Sequence, residues 1–234
     1  RICDGSRQLR LWKKLCWIKR KGIQRHMRLE DIIQLVRPEK VFREADVEIE
    51  TLACHPSEVT GTGTLFACMD EYLQYNSWQT WSSHLEVLPS LPVAAVISPQ
   101  PVPDIQVPQL VCADPRKAFG RAARLLSGFP ERGLRLFGVT GTNGKTTTTR
   151  LLAHLMNRLE ISCGSIGTLG VELAPGKSLP GTYTTPLAHQ LSGHLSAMWD
   201  EGRKAVALEV SSHGLALDRV EGLSFEGAIL TNVE

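Results

Sequence analysis

The sequence lacks any apolar run near the ~18 residues that a membrane span needs. Its longest candidates, such as Val93-Ala94-Ala95-Val96-Ile97, have the length of a core strand. An excess of one charge is missing as well: 26 Lys and Arg face 24 Asp and Glu, a net of +2, so the chain as a whole advertises no nucleic-acid partner. The six cysteines (Cys3, Cys16, Cys54, Cys68, Cys112 and Cys163) form no C-x-x-C pair and no short His/Cys ligand spacing. That argues against a zinc site or a disulfide scaffold. No charged n-region, apolar h-region and cleavage site of a secretory signal stands out, and a reduced cytoplasmic interior is the expectation. No repeat of fixed period is visible.

What is present is a folded-protein composition, 42% hydrophobic and 21% charged over 234 residues, enough for one large domain or two modest ones. Residues 1–28 hold ten Lys and Arg against one acid, Asp4. At Met27 the character changes: Leu29, Ile32, Ile33 and Val36 have helical spacing, with acids in the first turn. We expect residues 1–26 to be a non-native or upstream extension outside the fold, followed by a first domain over 27–130. A second domain is expected over 134–234. At the right end, Gly227 to Asn232 reads as a buried strand entering a loop. The expectation is therefore a fragment whose second domain is truncated.

Between 46 and 113 short strands are expected at Val47–Glu50, Thr64–Cys68, Val93–Ile97 and Gln109–Cys112. A Pro-rich connection runs from Ser98 to Pro108, and Asp114-Pro115 opens a helix. Pro130 to Gly133 reads as a linker. From 134 the order becomes strand (Leu136–Thr140), helix (Lys145–Leu159, with Leu151, Leu152, Leu155, Met156 and Leu159 on its apolar face), strand (Ile161–Ile166), helix (Leu187–Glu201) and apolar strand (Ala205–Val210). That alternation predicts an α/β fold: a small α/β domain, then the first part of a parallel-sheet nucleotide-binding domain.

Three segments carry chemistry. Thr140-Gly141-Thr142-Asn143-Gly144-Lys145-Thr146-Thr147 places a glycine loop between a strand and a helix. Glycines let the backbone N–H groups turn toward phosphate oxygens, and the helix N-terminus adds partial positive charge. Lys145 can reach the β/γ-phosphates, and the Thr146 hydroxyl can ligate Mg²⁺. The standard pattern wants glycine where Val139 stands. Next, Glu209-Val210-Ser211-Ser212-His213-Gly214 lies at the carboxyl end of a buried strand, where ligands of open α/β sheets sit; a carboxylate there is placed to hold Mg²⁺. Finally, Thr184-Thr185-Pro186 offers hydroxyls for a carboxylate or phosphate, or equally an ordinary helix cap. Gly164, Gly167 and Gly170 read as turn residues, and Trp78 and Trp81 as packing. His189 and His194, five apart, do not make a metal pair.

These segments resemble the Mur ligases. In that family the Thr-Gly-Thr-Asn-Gly-Lys-Thr form replaces the standard phosphate loop, which accounts for Val139. Thr184-Thr185-Pro186, Glu209 to Leu215, Arg219 and Ile229 to Asn232 resemble the MurE-type branch, which adds the third amino acid to UDP-N-acetylmuramoyl-L-alanyl-D-glutamate. The resemblance implies a first domain holding the uridine nucleotide, a central ATPase domain and a third, amino-acid-binding domain absent from this chain. It implies ATP at Thr140 to Thr147, Mg²⁺ at Thr146 and Glu209, and catalysis through Lys145 and Glu209. The muramoyl-peptide would lie at Thr184, Thr185, Ser211 and Arg219, with Ser57 at the uridine. The family's Asp-Ser-Arg triplet stands here as Pro56-Ser57-Glu58. The partners implied are the UDP-muramoyl-dipeptide and an amino acid, for a cytoplasmic monomer, with no nucleic acid or membrane. The fragment by itself is expected to be inactive. The alternatives are another Mur-type or folylpolyglutamate ligase, or a nucleotide-binding module without catalysis.

Overall fold

The structure, a computed structural model, describes residues 26–73, 77–181 and 183–233. Of the expected extension only His26 falls within them. Its imidazole Nδ1 lies 3.4 and 3.2 Å from the carboxylates of Glu48 and Glu50.

The first domain opens with β1 (Met27–Arg28) and α1 (Leu29–Val36), which buries Leu29, Ile32 and Val36. There follow β2 (Lys40–Phe42), β3 (Glu48–Ile49), β4 (Thr51–Ala53), β5 (Thr64–Ala67), the hairpin β6 (Glu71–Leu73) and β7 (Ser77–Gln79), β8 (Val93–Ser98), β9 (Gln109–Val111) and α2 (Pro115–Leu126). The main sheet has the order β2-β9-β8-β5-β4. Strands β4, β5, β8 and β9 are parallel and β2 runs antiparallel to β9. All six residues of β8 are buried, as a strand covered on both faces requires. One cover is α1 and α2, through Ile32, Phe119, Ala122 and Leu125. The other is loop: Leu88, Val102 and Ile105 pack on Phe66 and Val96. The Pro-rich connection is thus a folded lid, with Gln109 both donating to and accepting from the Val102 backbone. Asp114 caps α2 by accepting from the Lys117 N–H, with Pro115 in the first turn.

Residues 130–133 differ from the linker expected. They form a packed turn in which Pro130 and Glu131 are buried and Glu131 Oε1 accepts two hydrogen bonds from Arg124.

The second domain contains β10 (Arg135–Thr140), α3 (Lys145–Arg158), β11 (Cys163–Gly167), β12 (Gly170–Ala174), β13 (Lys177–Leu179), α4 (Ala188–Asp200), β14 (Ala205–Glu209), the short α5 (Ser212–Ala216) and β15 (Phe225–Leu230). Its sheet has the order β13-β12-β11-β14-β10-β15. Strands β11, β14, β10 and β15 are parallel, and the hairpin β12–β13 adds antiparallel strands that the sequence reading missed. Helix α4 covers one face through Leu191, Leu195 and Met198. Helix α3 covers the other, over Ala205 and Ala207.

The apolar face assigned to α3 needs correction. Leu151, Leu155 and Leu159 are exposed, at 54%, 50% and 72%. The helix turns Thr149 and Ala153 inward, flanked by Leu152 and Met156. The loop before Lys145 fixes the rotational phase, and small side chains let the helix sit close on the alanines of β14. Gly164 and Gly167 are likewise strand residues rather than turn residues: a Cβ on Gly164 would meet the Met198 sulfur at 2.8 Å. Trp78 is 54% exposed rather than packed.

The two domains meet through α2 and α4, where Gly120 lies against Ala188 and Leu187 joins the first-domain core.

Candidate functional site

The glycine loop leaves the carboxyl end of β10, between β14 and β15. Gly141 and Gly144 have φ of +133° and +81°, values other residues rarely adopt. A Cβ on Gly141 would also land on the Thr231 hydroxyl. That contact reveals a brace the sequence reading did not assign. Thr231 Oγ1 donates to the Thr140 carbonyl at 3.1 Å and to the Asn143 carbonyl at 2.6 Å. Asn232 accepts from the Thr142 N–H through its backbone carbonyl and from the Asn143 N–H through Oδ1. The segment after β15 therefore sets the loop's shape. Lys145 Nζ lies over the loop, donating to the Gly141 and Thr142 carbonyls at 2.7 and 2.9 Å. Gly144, the N-cap of α3, brings no side chain to the first turn, whose N-terminal N–H groups form the positive end of the helix. Thr147 stands exposed on that turn.

Beneath the loop, Glu209 ends β14 and is 2% exposed. Its carboxylate accepts from Thr146 Oγ1 at 3.0 Å, from Thr168 Oγ1 at 3.1 Å and from the Thr168 N–H at 3.1 Å. A buried carboxylate is stable only with such donors. Two of the donors come from Thr168, the residue directly after β11, which no motif marked. Thr168 Oγ1 also lies 3.0 Å from Thr184 Oγ1, tying in the Thr-Thr-Pro segment. Gly167 is needed for this approach, because a Cβ there would fall on the Glu209 carboxylate. Gly167→Ala should cost ~1–3 kcal/mol through overpacking, read as a lower melting temperature.

The expected substrate contacts divide into two groups. Thr184 is part-exposed beside Thr168, and Ser211, two residues past β14, caps the short α5 by accepting from the Gly214 N–H. Thr185 differs from expectation: it is fully buried, and its hydroxyl donates to the Glu209 carbonyl and accepts from the Ser211 N–H, both at 2.9 Å. It joins two loop segments. Arg219, expected on the muramoyl-peptide, is 5% exposed and turned inward. It donates to the Thr185 carbonyl at 2.8 Å, to Glu71 Oε1 at 2.8 Å and to the Tyr72 carbonyl at 2.7 Å. Glu71 and Tyr72 belong to the first domain, where Tyr72 also stacks on His213 at 5.1 Å. These contacts lock the β6–β7 hairpin onto the second domain. None was visible in the sequence.

Ser57 is exposed on a 3₁₀ turn after β4, hydrogen-bonded to His55 Nδ1 at 2.7 Å. Its neighbour Glu58 accepts from the N–H groups of Cys54 and His55 and pairs with His189 of α4 at 3.3 Å. Burial opposes its charge, but the His189 hydrogen bond and charge and the two N–H groups more than offset that. The Glu58 carboxyl is lowered to about 2. A carboxyl lowered in the fold contributes stability above its ordinary value and loses it as pH falls toward 2. The melting-temperature difference between the protein and Glu58→Gln should therefore shrink steadily from pH 5 to pH 2. A constant difference would show that the pair contributes no such stability.

A parallel sheet, a glycine loop leaving its central region, and a buried carboxylate ending the next strand place the second domain among the P-loop α/β domains. Residues 139–234 match the Mur ligase middle domain, and that match makes this part of the chain a member of the Mur ligase family. The chain is 44% identical over 142 residues (60% of it, and 28% of the relative) to the UDP-N-acetylmuramoyl-L-alanyl-D-glutamate--2,6-diaminopimelate ligase of Thermosynechococcus vestitus. With the ligase of the same name from Geobacter sulfurreducens it is 33% identical over 207 residues, 88% of the chain and 40% of the relative. A solved structure of a ligase of that name superposes with a TM-score of 0.67 at 26% identity, covering 90% of this chain and 41% of that one. MurF from Acinetobacter baumannii shares the fold, with a TM-score of 0.53 at 17% identity over 81% of this chain and 36% of that one. The chain spans less than half the length of the relatives it matches.

Proposed function

We propose that the chain is part of an ATP-dependent ligase of the MurE type, which joins an amino acid to UDP-N-acetylmuramoyl-L-alanyl-D-glutamate in peptidoglycan precursor synthesis. The observation that carries this reading is the cradle formed by the braced loop of 140–147 over the buried Glu209. It stands in a Mur ligase middle domain whose relatives are named for that reaction. The relatives' names give 2,6-diaminopimelate as the incoming amine. We assign it no contact among the described residues.

The exposed and loop residues suit their assignments, whereas Thr185 and Arg219 act from beneath the surface. Thr140 to Thr147 would hold the ATP phosphates, with Lys145 on the β/γ oxygens and the first turn of α3 behind them. The Thr146 hydroxyl and the Glu209 carboxylate are oxygen donors of the kind Mg²⁺ takes. Held there, Mg²⁺ would neutralise phosphate charge. Thr168 positions Glu209, and Thr184 and Ser211 line the approach from the muramoyl-peptide. Thr185 and Arg219 shape that approach from beneath, and Ser57 meets the uridine end.

In the reaction the terminal carboxylate oxygen of the D-glutamyl residue bonds to the γ-phosphorus, and the bond to ADP's oxygen breaks. The amine then attacks the acyl carbon, an amide forms, and phosphate leaves with loss of a proton. The protein contributes positioning and charge neutralisation. The enzyme acts as a cytoplasmic monomer.

The test is phosphate release by the complete protein supplied with ATP, Mg²⁺, the UDP-muramoyl-dipeptide and 2,6-diaminopimelate. Release should require the dipeptide and amine together and should stop when Mg²⁺ is chelated. Release from ATP alone, unchanged by either, would overturn the assignment.

A further inference from the structure

Three consecutive residues at the start of α4 touch the first domain. Leu187 joins its core, Ala188 lies against Gly120, and His189 Nε2 reaches Glu58 Oε1 at 3.3 Å. The first two contacts are apolar and dock the helix. The third is directional, and it links two places that one substrate would join.

The Glu58 carboxylate is divided between the domains. Its Oε2 accepts from the Cys54 N–H at 2.9 Å and the His55 N–H at 3.3 Å, which closes the turn Pro56–Glu58 around Ser57. Its Oε1 faces His189 of the second domain. The imidazole in turn is confined. It packs against the Phe119 ring with centroids 5.2 Å apart, and its Nδ1 is buried with no hydrogen-bond partner among the described residues. Just before the helix, Thr185 is tied to the Glu209 carbonyl and the Ser211 N–H. A continuous run of contacts therefore leads from Ser57 through Glu58 and His189 to Thr185 and the strand end that carries Glu209. The His189 and Glu58 side chains are 15% and 25% exposed, so water screens the pair less than it would a surface pair.

We propose that Glu58 and His189 are positioning residues that set the spacing between the uridine turn at Ser57 and the peptide-binding hydroxyls of Thr184 and Ser211. On the MurE-type reading, on which this role rests, the UDP-muramoyl-dipeptide has its nucleotide on the first domain and its peptide on the second. When one ligand bridges two sites, the second contact forms at an effective concentration set by how well their spacing is fixed. A looser spacing lowers that concentration and leaves each site's own affinity alone. Packing at Leu187 keeps the domains together, and the Glu58–His189 pair fixes their register. Neither residue has to touch the substrate.

The test compares, in the complete protein, a ligand that spans both sites with one that fills a single site. His189→Leu keeps apolar bulk against Phe119 and loses the donor. It should raise the Michaelis constant for the UDP-muramoyl-dipeptide about tenfold, while the inhibition constant of UDP stays within about twofold and the maximal rate falls less than about twofold. His189→Gln retains a donor for Glu58 and should recover most of the loss. In a Glu58→Ala background, His189→Leu should have little further effect, since both changes break the same link. Melting curves establish that each variant is folded. A folded His189→Leu protein with an unchanged Michaelis constant would overturn the proposal. So would an inhibition constant for UDP that rises in step with the Michaelis constant, because the pair would then only support the uridine turn. A parent protein that turns over the dipeptide but is not inhibited by UDP would remove the uridine from Ser57, and this role with it. No turnover of the dipeptide by the parent would bring down the MurE-type reading itself.

Discussion

Lys145→Ala in the complete enzyme should lower turnover a hundred- to a thousand-fold, while the UDP-muramoyl-dipeptide still binds within about twofold of its normal affinity. The ammonium of Lys145 sits at the loop mouth, 2.7 and 2.9 Å from the Gly141 and Thr142 carbonyls. Losing a charge-assisted contact where transferring phosphate accumulates charge costs ~3–4 kcal/mol of barrier. The fold should not suffer, because Thr231 and Asn232 brace the loop independently of the lysine. The uridine end should be indifferent, since Ser57 belongs to the other domain. Steady-state kinetics and a melting curve on the one variant separate these effects. Near-normal turnover would remove the loop from the ATP site. A collapsed melt would instead assign the lysine to the loop's architecture.

Much of this site could be read from the sequence because its parts are contiguous. The strand, glycine loop and helix of 135–158 announce themselves through apolar residues, glycines and Lys145-Thr146 in a row, and Glu209 stands at the end of an apolar strand. The capped start of α2 was legible for the same reason, since Asp114 and Pro115 act locally. The misses are all matters of tertiary placement. The rotational phase of α3 depends on what lies beneath it. Its leucines at 151, 155 and 159 make a stripe at i, i+4, i+8 that looks buried, yet Thr149 and Ala153 occupy the sheet side. Thr168 carries no motif and becomes a site residue only because β11 lies beside β14. The reading of Arg219 as a ligand contact weighed its chemistry alone. Its carboxylate partner lies 148 residues earlier in the chain, on a hairpin with no signal of its own.

That partnership yields the largest stability effect. Glu71 and Arg219 are 2% and 5% exposed, so Glu71→Ala leaves a guanidinium buried without its counter-charge. Arg219 Nε already has no hydrogen-bond partner among the described residues, and the two carbonyls that remain cannot neutralise a full positive charge. Breaking one side of a buried pair costs ~3–5 kcal/mol, which for a chain of this size lowers the melting temperature by roughly 10 °C. Replacing both, as Glu71→Leu with Arg219→Met, removes the orphaned charge along with the pair and should recover most of that loss. Melting curves of the two variants test the electrostatic claim: a Glu71→Ala protein as stable as the parent would mean water reaches the guanidinium. The double variant then decides what else Arg219 does. If the arginine only fastens the hairpin of the first domain to the second, the stable double variant should turn over with a Michaelis constant for the UDP-muramoyl-dipeptide close to normal. A stable double variant whose constant rises tenfold or more would return Arg219 to direct contact with the substrate, reached by opening the hairpin that now covers it.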